Sequence, residues 1–265
     1  MPSNHIPQGL SQGDSGPDVM NLFMHLWDTG WLSLGLSAQL MGDRYAPAGL
    51  TAEQKSAYDN LLTVALMRFQ VAFGLKPTGT VTEETAGLIN SGRCGRADIH
   101  KETPASFTAG PGPLGPQAGF EYIETQAAMI SYPMATDIFT RTFNQWGMQL
   151  GTHWSVGGQP LLAHTSFQTG SHGDGYPFDG PEGILAHAWS LVDEEVALRG
   201  TLHLDGDERW GSEFDIETIA LHEAGHIHGL EHSFDRGSVM FPYAKGTRRA
   251  VTDLDRHALL ALYGR

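Results

Sequence analysis

The sequence is poor in cysteine, in basic side chains and in long apolar runs. Its single cysteine, Cys94, cannot form an internal disulfide, which excludes a disulfide framework. Lys and Arg total 16 against 30 Asp and Glu, a net charge of −14, so the positive face that nucleic acid requires is not expected. No stretch approaches the roughly 18 uncharged apolar residues of a membrane span. Residues 1–20 show neither the basic nor the apolar region of a signal peptide.

Histidine and acidic side chains are concentrated in the later part of the chain. Only His5, His25 and His100 of the 13 histidines fall within the first 100 residues. Thr103 to Gly119 is rich in Pro and Gly, a composition that cannot build a packed element. We therefore predict a first domain over residues 1–100, a linker over 101–119 and a second domain over 120–265.

The first 100 residues predict a small three-helix domain. Two stretches carry apolar residues at helical spacing, which indicates amphipathic helices that face a common core. Thr51 has capping-box spacing to Gln54. Thr82, followed by two glutamates, predicts the start of a third helix that ends near Gly92. The apolar stripes are Val19, Leu22, Phe23 and Leu26 in one helix and Tyr58, Leu61, Leu62, Ala65 and Phe69 in the next.

The segment FQVAFGLKPTGTVTEET, residues 69–85, combines a helix, a stop at Gly74 and a Thr-Gly turn before the next helix. It resembles the peptidoglycan-binding-like domain, and the resemblance covers residues 14–91. Peptidoglycan is a partner that this resemblance implies.

The strongest local signal is the motif HExxHxxGxxH, which begins at His222. Residues four apart lie on one face of a helix, so His222 and His226 can present imidazoles to one ion, with Glu223 beside it. Gly229 allows the chain to turn, because glycine accepts backbone angles that other residues resist, and His232 can then reach the same ion. Three neutral nitrogens leave a fourth zinc position open.

An open zinc site lowers the pKa of a bound water to roughly 7, and Glu223 is placed to take its proton and pass one to a leaving amine. The pattern predicts hydrolysis of peptide bonds. A chance HExxH on a His-rich helix is the alternative, against which the third histidine and Met240 in SVMFP both argue. His228 lies on another face of the helix and is interpreted as a surface residue or a residue behind the ligands.

These residues resemble the metzincin clan of zinc endopeptidases, with Met240 as the Met-turn beneath the metal. Ser233 directly after the third histidine, and three further segments, are similar to the matrix metalloproteinases, or matrixins. The resemblance implies an α+β catalytic domain with a twisted, mostly parallel sheet and the HExxH helix behind it. The three segments are Gly92–Asp98, Ser171–Trp189 and His203–Trp210. The first catalytic strand is expected at Phe120–Ile123 and the first long helix around Phe143–Trp146.

Two further ion sites are predicted in the middle of the second domain. Three imidazoles and one carboxylate form a complete tetrahedral set, as a structural zinc requires, so two zinc ions are expected per chain. Acidic side chains and carbonyls of a Gly-rich loop form a calcium shell, to which a solvated acidic loop is the alternative. The zinc ligands are His172, Asp174, His187 and His203, and the calcium ligands are Asp179, Gly180, Glu182, Ile184, Asp205 and Glu208. Residues 191–201 replace the Gly-rich stretch of a second calcium site, which is not predicted.

Cys94 lies in GRCGRAD, which resembles the matrixin cysteine switch. The resemblance implies that its thiolate fills the fourth zinc position in a latent form and that Arg93 pairs with Asp98. Gly92 and Ala97 stand where the family has prolines, so a less rigid loop is expected. A cysteine without consequence is the alternative. Activation then requires a protease that cuts in residues 103–119.

We accordingly predict a secreted-type latent zinc endopeptidase that acts on protein or peptide substrates. An extracellular location follows from the resemblance, although no signal peptide is visible. The strand Leu185–Ala188 should form a sheet edge to which an extended substrate adds. The resemblance implies that Thr218 and Ala244 line the primed-side pocket, and because both are small, we expect a roomy pocket for large apolar residues. The alternative is a cell-wall-binding protein whose metal domain is subsidiary or inactive.

Overall fold

A computed structural model describes residues 5–32, 51–55, 57, 59–99 and 114–265. The chain divides into two compact units, one of Met1–Ser91 with Ala97–Thr103 and the other of Gly92–Arg96 with Pro104–Arg265. Gly92–Arg96 thus packs with the second unit, whereas the sequence-based boundary assigned it to the first. Most of the expected linker, and Tyr58, lie outside the described residues.

The described part of the first unit contains the three predicted helices and one short additional helix. The short helix begins at Ala52, directly after Thr51. The second predicted helix has Asp59 as its N-cap, and the Asp59 side chain accepts a hydrogen bond from the backbone N–H of Leu62. Thr82 caps the last helix as expected, through the N–H of Thr85. Leu22, Leu26, Leu66 and Phe69 are among the fully buried core residues. The helices are α1 (Pro17–Asp28), α2 (Ala52–Lys55), α3 (Asn60–Ala72) and α4 (Glu83–Ile89).

The second unit is built on a six-stranded, mostly parallel sheet, which confirms the predicted fold class. The sheet order is β1-β5-β6-β4-β2-β3, and the β5–β6 pair is antiparallel while the other pairs are parallel. The strands are β1 (Arg93–Cys94), β2 (Gln117–Ile123), β3 (His153–Val156), β4 (Leu161–Gln168), β5 (Ile184–Ala188) and β6 (Thr201–Asp205).

β5 is therefore not the unpaired edge strand that the sequence predicted. It pairs with β6 on one side and with the two-residue strand β1 on the other. The segment that contains Cys94 occupies the place to which an added strand was expected to bind.

Three helices complete the second unit: α5 (Tyr132–Leu150), α6 (Ile216–Ile227) and α7 (Asp253–Leu262). α6 carries the HExxH motif and packs against α5 and β5. Trp146 of α5 is fully buried, and its indole N–H donates to the carbonyl of Leu221, which fixes the two helices together. Within the described residues, no helix has both the length and the apolarity needed to cross a membrane.

Candidate active site and metal centres

The HExxH helix brings three histidines and one cysteine together. The ligand atoms of Cys94, His222, His226 and His232 all lie within 4.8 Å of one another. The first two histidines are four residues apart on α6, and Gly229, with a φ of 92°, makes the turn that returns the chain to His232. The Cys94 Sγ lies 3.5 Å from the Nε2 of His226. The thiol thus stands at the position where a fourth ligand is needed.

Backbone carbonyls orient two of the three imidazoles. The Nδ1 of His222 donates to the carbonyl of Val239 at 2.8 Å, and the Nδ1 of His226 donates to that of Leu230 at 2.7 Å. A proton on Nδ1 leaves Nε2 with its lone pair free for a metal. Among the described residues, the buried Nε2 of His222 has no hydrogen-bond partner, which fits a donor atom that faces a cation. The donor set suits zinc.

The Met-turn residue lies directly behind the motif. Met240 is buried, and a Cβ at Gly225 would overlap its Sδ, so the glycine allows this close approach. Its carbonyl accepts a hydrogen bond from the N–H of Ser233, just after His232. Met240 therefore packs against the motif helix at Gly225 and is hydrogen-bonded to the residue that follows His232.

Glu223 is fully buried beside the cluster. Burial raises its pKa to about 8, against which the Cys94 contact and the charge of Arg96 act. Burial, and next the charge of Glu223, raise the pKa of the Cys94 thiol well above its usual value. A divalent cation in the cluster would lower both pKa values, because it stabilises each negative charge.

A second cluster joins His172, Asp174, His187 and His203, with ligand atoms again within 4.8 Å of one another. The strand register assembles it, because His187 on β5 lies directly opposite His203 on β6. The Oδ2 of Asp174 lies 2.8 to 3.1 Å from a ring nitrogen of each histidine. Although burial opposes it, hydrogen bonds from the three histidines lower the pKa of Asp174. The four side chains predicted for this site thus lie together.

The predicted calcium loop contains buried, mutually repelling carboxylates. Burial, and after it the charges of the neighbouring acids, raise the pKa of Asp205 to about 6 and that of Glu208 to about 7. Asp179 accepts a hydrogen bond from the N–H of Ile184, and Glu182 adopts a positive φ of 70°. Within the described residues, only the two histidine clusters hold three or more ligand atoms within 4.8 Å of one another, so the acidic set is looser.

Two cavities lie next to Thr218 and Ala244, the residues expected at the primed-side pocket. Thr218 and Ala244 line both a narrow cavity of about 10 Å³ beside Glu223 and a larger one of about 140 Å³. The Thr218 hydroxyl donates a hydrogen bond to the Oδ1 of Asp215 and accepts one from the backbone N–H of Arg248. Arg248 also lines the narrow cavity. At about 10 Å³, the cavity beside Glu223 is smaller than the roomy pocket that the sequence predicted.

The sequence of the chain matches known protein families. The family model described as matrixin matches residues 122–264, more than half of the chain. The chain belongs to the matrixin family. A peptidoglycan binding domain model matches residues 39–89, of which the structure describes residues 51–55, 57 and 59–89.

Three curated relatives support the assignment. The chain is 33% identical to interstitial collagenase of Oryctolagus cuniculus over 79% of this chain and 45% of that protein. It is 46% identical to karilysin of Tannerella forsythia over 37% of this chain and 21% of that protein. It is 32% identical to metalloendoproteinase 1-MMP of Arabidopsis thaliana over 78% and 62%, respectively. The chain spans less than two thirds of the length of each relative.

His228 of this matrixin was predicted from the sequence to be either a surface residue or a residue behind the ligands. His228 is not a ligand, but the surface alternative is wrong, because the side chain is fully buried. Its Nδ1 donates to the carbonyl of Ala224, and its Nε2 accepts the indole N–H of Trp154 at 3.1 Å. Helical spacing could not reveal Trp154, which lies 74 residues away on β3.

Proposed function

We propose that this matrixin is a latent zinc endopeptidase that hydrolyses internal peptide bonds of proteins. The observation that carries the proposal is the convergence of Cys94 with His222, His226 and His232. Three histidines leave one position for the reaction, and in the intact chain a thiol stands there. Such an arrangement supports a protease that is blocked until the thiol leaves.

His222, His226 and His232 would hold the catalytic zinc. When bound, zinc supplies Lewis-acid activation of a water molecule and of the substrate carbonyl. Glu223 accepts the proton of the attacking water and returns it to the leaving amine, since its carboxylate is buried beside the cluster. The carbonyls of Val239 and Leu230 hold two imidazoles in place, so the ligands need no reorientation.

The cleft favours an extended peptide held in mid-chain. β5 offers backbone groups once the Arg93–Cys94 strand has left. The narrow cavity that Thr218 and Ala244 line beside Glu223 is called the Thr218–Ala244 pocket below. Binding through the backbone requires no free terminus, which supports endopeptidase rather than exopeptidase action. We assign the Thr218–Ala244 pocket to the residue just after the scissile bond.

Two further ions would stabilise the fold. His172, Asp174, His187 and His203 would hold a second, structural zinc, giving two zinc ions per chain. Asp179, Asp205 and Glu208 would bind calcium with carbonyls of Gly180, Glu182 and Ile184, because a cation relieves the repulsion among buried carboxylates.

Latency would end by thiol modification or by proteolysis in residues 103–119. The Arg93–Asp98 pairing and the looser loop at Gly92 and Ala97 remain predictions for this switch. We propose domain limits of 1–100 and 120–265, with action outside the cell, in keeping with the matrixin family.

A peptide-library digest tests the function directly. Intact protein should be nearly inactive, and a thiol-reactive mercurial should release cleavage of internal bonds. Glu223→Gln removes the base but no metal ligand, so turnover should fall by at least about 100-fold with zinc content unchanged. Activity of the activated Glu223→Gln variant within tenfold of wild type contradicts the assignment of the base.

The second candidate function is cell-wall binding, which the peptidoglycan binding domain match at residues 39–89 favours. The intact protein would then bind insoluble peptidoglycan whether or not Cys94 has been modified. A pull-down of the intact chain on insoluble peptidoglycan, with an insoluble polysaccharide of other chemistry as control, tests this. Binding to peptidoglycan, together with no peptide cleavage after mercurial treatment, would favour cell-wall binding over the protease.

A further inference from the structure

The segment around Cys94 lies in the cleft as an added strand. The N–H of Arg93 donates to the carbonyl of Gly183 at 2.8 Å, and the N–H of Gly95 donates to that of Ala186 at 2.7 Å. On its other side, the N–H of Cys94 donates to the carbonyl of Pro242. These backbone contacts place the neighbouring side chains of the segment against the walls of the cleft.

The side chain of Arg96 is seated against one acid and one aromatic ring. Its Nη2 lies 2.9 Å from the Oδ2 of Asp193, and both side chains are about 85% buried, with exposures of 15% and 14%. Its guanidinium carbon lies 5.4 Å from the centre of the Trp189 ring. A guanidinium combines these two interactions better than other side chains do, because it is both planar and cationic.

The walls around Arg96 are built independently of it. Trp189 is fully buried, and its ring packs against Tyr176 and His187 at 5.0 and 4.7 Å. The Oδ1 of Asp193 accepts the N–H of Glu195 at 3.1 Å, which leaves Oδ2 facing Arg96. The subsite is therefore held by contacts that remain when the Cys94 segment leaves.

The subsite and the Thr218–Ala244 pocket lie on opposite sides of the histidine cluster. The N–H of Ala244 donates to the carbonyl of Gly92, so the segment enters the cleft beside that pocket. It then passes the cluster at Cys94 and reaches Asp193 two residues later, at Arg96. If the Thr218–Ala244 pocket takes the residue after the scissile bond, Asp193 faces residues before it.

We propose that Asp193 and Trp189 form a specificity subsite for a basic side chain, Arg or Lys, on the N-terminal side of the scissile bond. In the intact chain Arg96 fills this subsite as an internal occupant. The inference rests on the proposed endopeptidase function and names a substrate preference for that same cleft. Asp193 is a specificity residue here and takes no part in the bond cleavage.

The test uses full-length protein activated with a thiol-reactive mercurial and freed of released segments. The substrates are peptides that differ only by Arg or Gln at one of the three positions before the scissile bond. We expect wild type to show about a tenfold higher kcat/KM for Arg at one of these positions. Asp193→Asn, which keeps the acceptor for the Glu195 N–H, should reduce that preference to within about twofold.

Glu194→Gln is the matched control, because it removes the same charge from the neighbouring, exposed residue. It should keep the Arg preference, and thermal unfolding should show that both variants are folded. Cleavage of the Gln peptides without Arg preference at any position overturns the inference and leaves the protease standing. An equal loss of Arg preference in Asp193→Asn and Glu194→Gln also overturns the inference, since the preference would then depend on the net negative charge of the region and not on Asp193. No cleavage of any peptide overturns the proposed function, and this inference with it.

Discussion

The two histidine clusters of this matrixin contain similar side chains but are assembled in different ways. In one, a single helix and turn supply three histidines, and the fourth member comes from Cys94, far away in the sequence. In the other, a loop and two paired strands supply all four ligands at once, and Asp174 contacts every histidine. The first set can lose its fourth member without losing the other three. The second set is complete within one sheet and its loop, which suits a structural ion.

Removal of one ligand from each cluster should separate catalysis from structure. His226→Ala should lose the catalytic zinc and lower the turnover of activated protein by at least about 100-fold. His203→Ala should lose the other zinc and lower the thermal unfolding temperature, because a structural zinc contributes folding free energy. Metal analysis and calorimetry check both. One zinc per chain in carefully prepared wild type would contradict the comparison.

Substitution of Cys94 should activate the uncleaved chain and leave the His172, Asp174, His187 and His203 cluster unchanged. Cys94→Ser replaces a thiolate by a poor zinc ligand, so basal activity of the uncleaved chain should rise about tenfold or more. Zinc content should stay at two, since the three histidines remain. After mercurial treatment, the variant and wild type should cleave the same peptides at similar rates. Equal basal activity of intact wild type and variant is the result that would refute the switch.

The acidic loop that contains Asp205 and Glu208 should make the stability of calcium-free protein fall as pH rises. The pKa values of Asp205 and Glu208 are raised to about 6 and about 7, so the folded state holds protons that the unfolded state releases from about pH 4. Stability of calcium-free protein should therefore fall as pH rises from about 4 to 7, by an amount on the order of 2 kcal/mol. Calcium should abolish this fall, because it stabilises the charged forms.

Denaturant unfolding at several pH values, with zinc supplied throughout, measures this effect. Glu208→Gln serves as the control, since it removes one raised pKa and should flatten the calcium-free profile. The same fall with and without calcium would show that these carboxylates do not bind the ion.

The sequence determined the local parts of this protein. His222, Glu223 and His226 follow from helical spacing alone, because residues four apart share a face whatever surrounds the helix. The same holds for helix starts: α2 begins at Ala52, directly after Thr51, although the longer helix α3 has its own N-cap at Asp59.

Only the tertiary structure decided which distant residues meet. The register of β5 with β6 places His187 opposite His203, and a shift by one residue would separate them. Strand pairing of Arg93–Cys94 with β5 brings the thiol to His226, 132 residues away. Burial of His228 against Trp154 and the seating of Arg96 between Asp193 and Trp189 likewise depend on long-range packing, which no local pattern encodes.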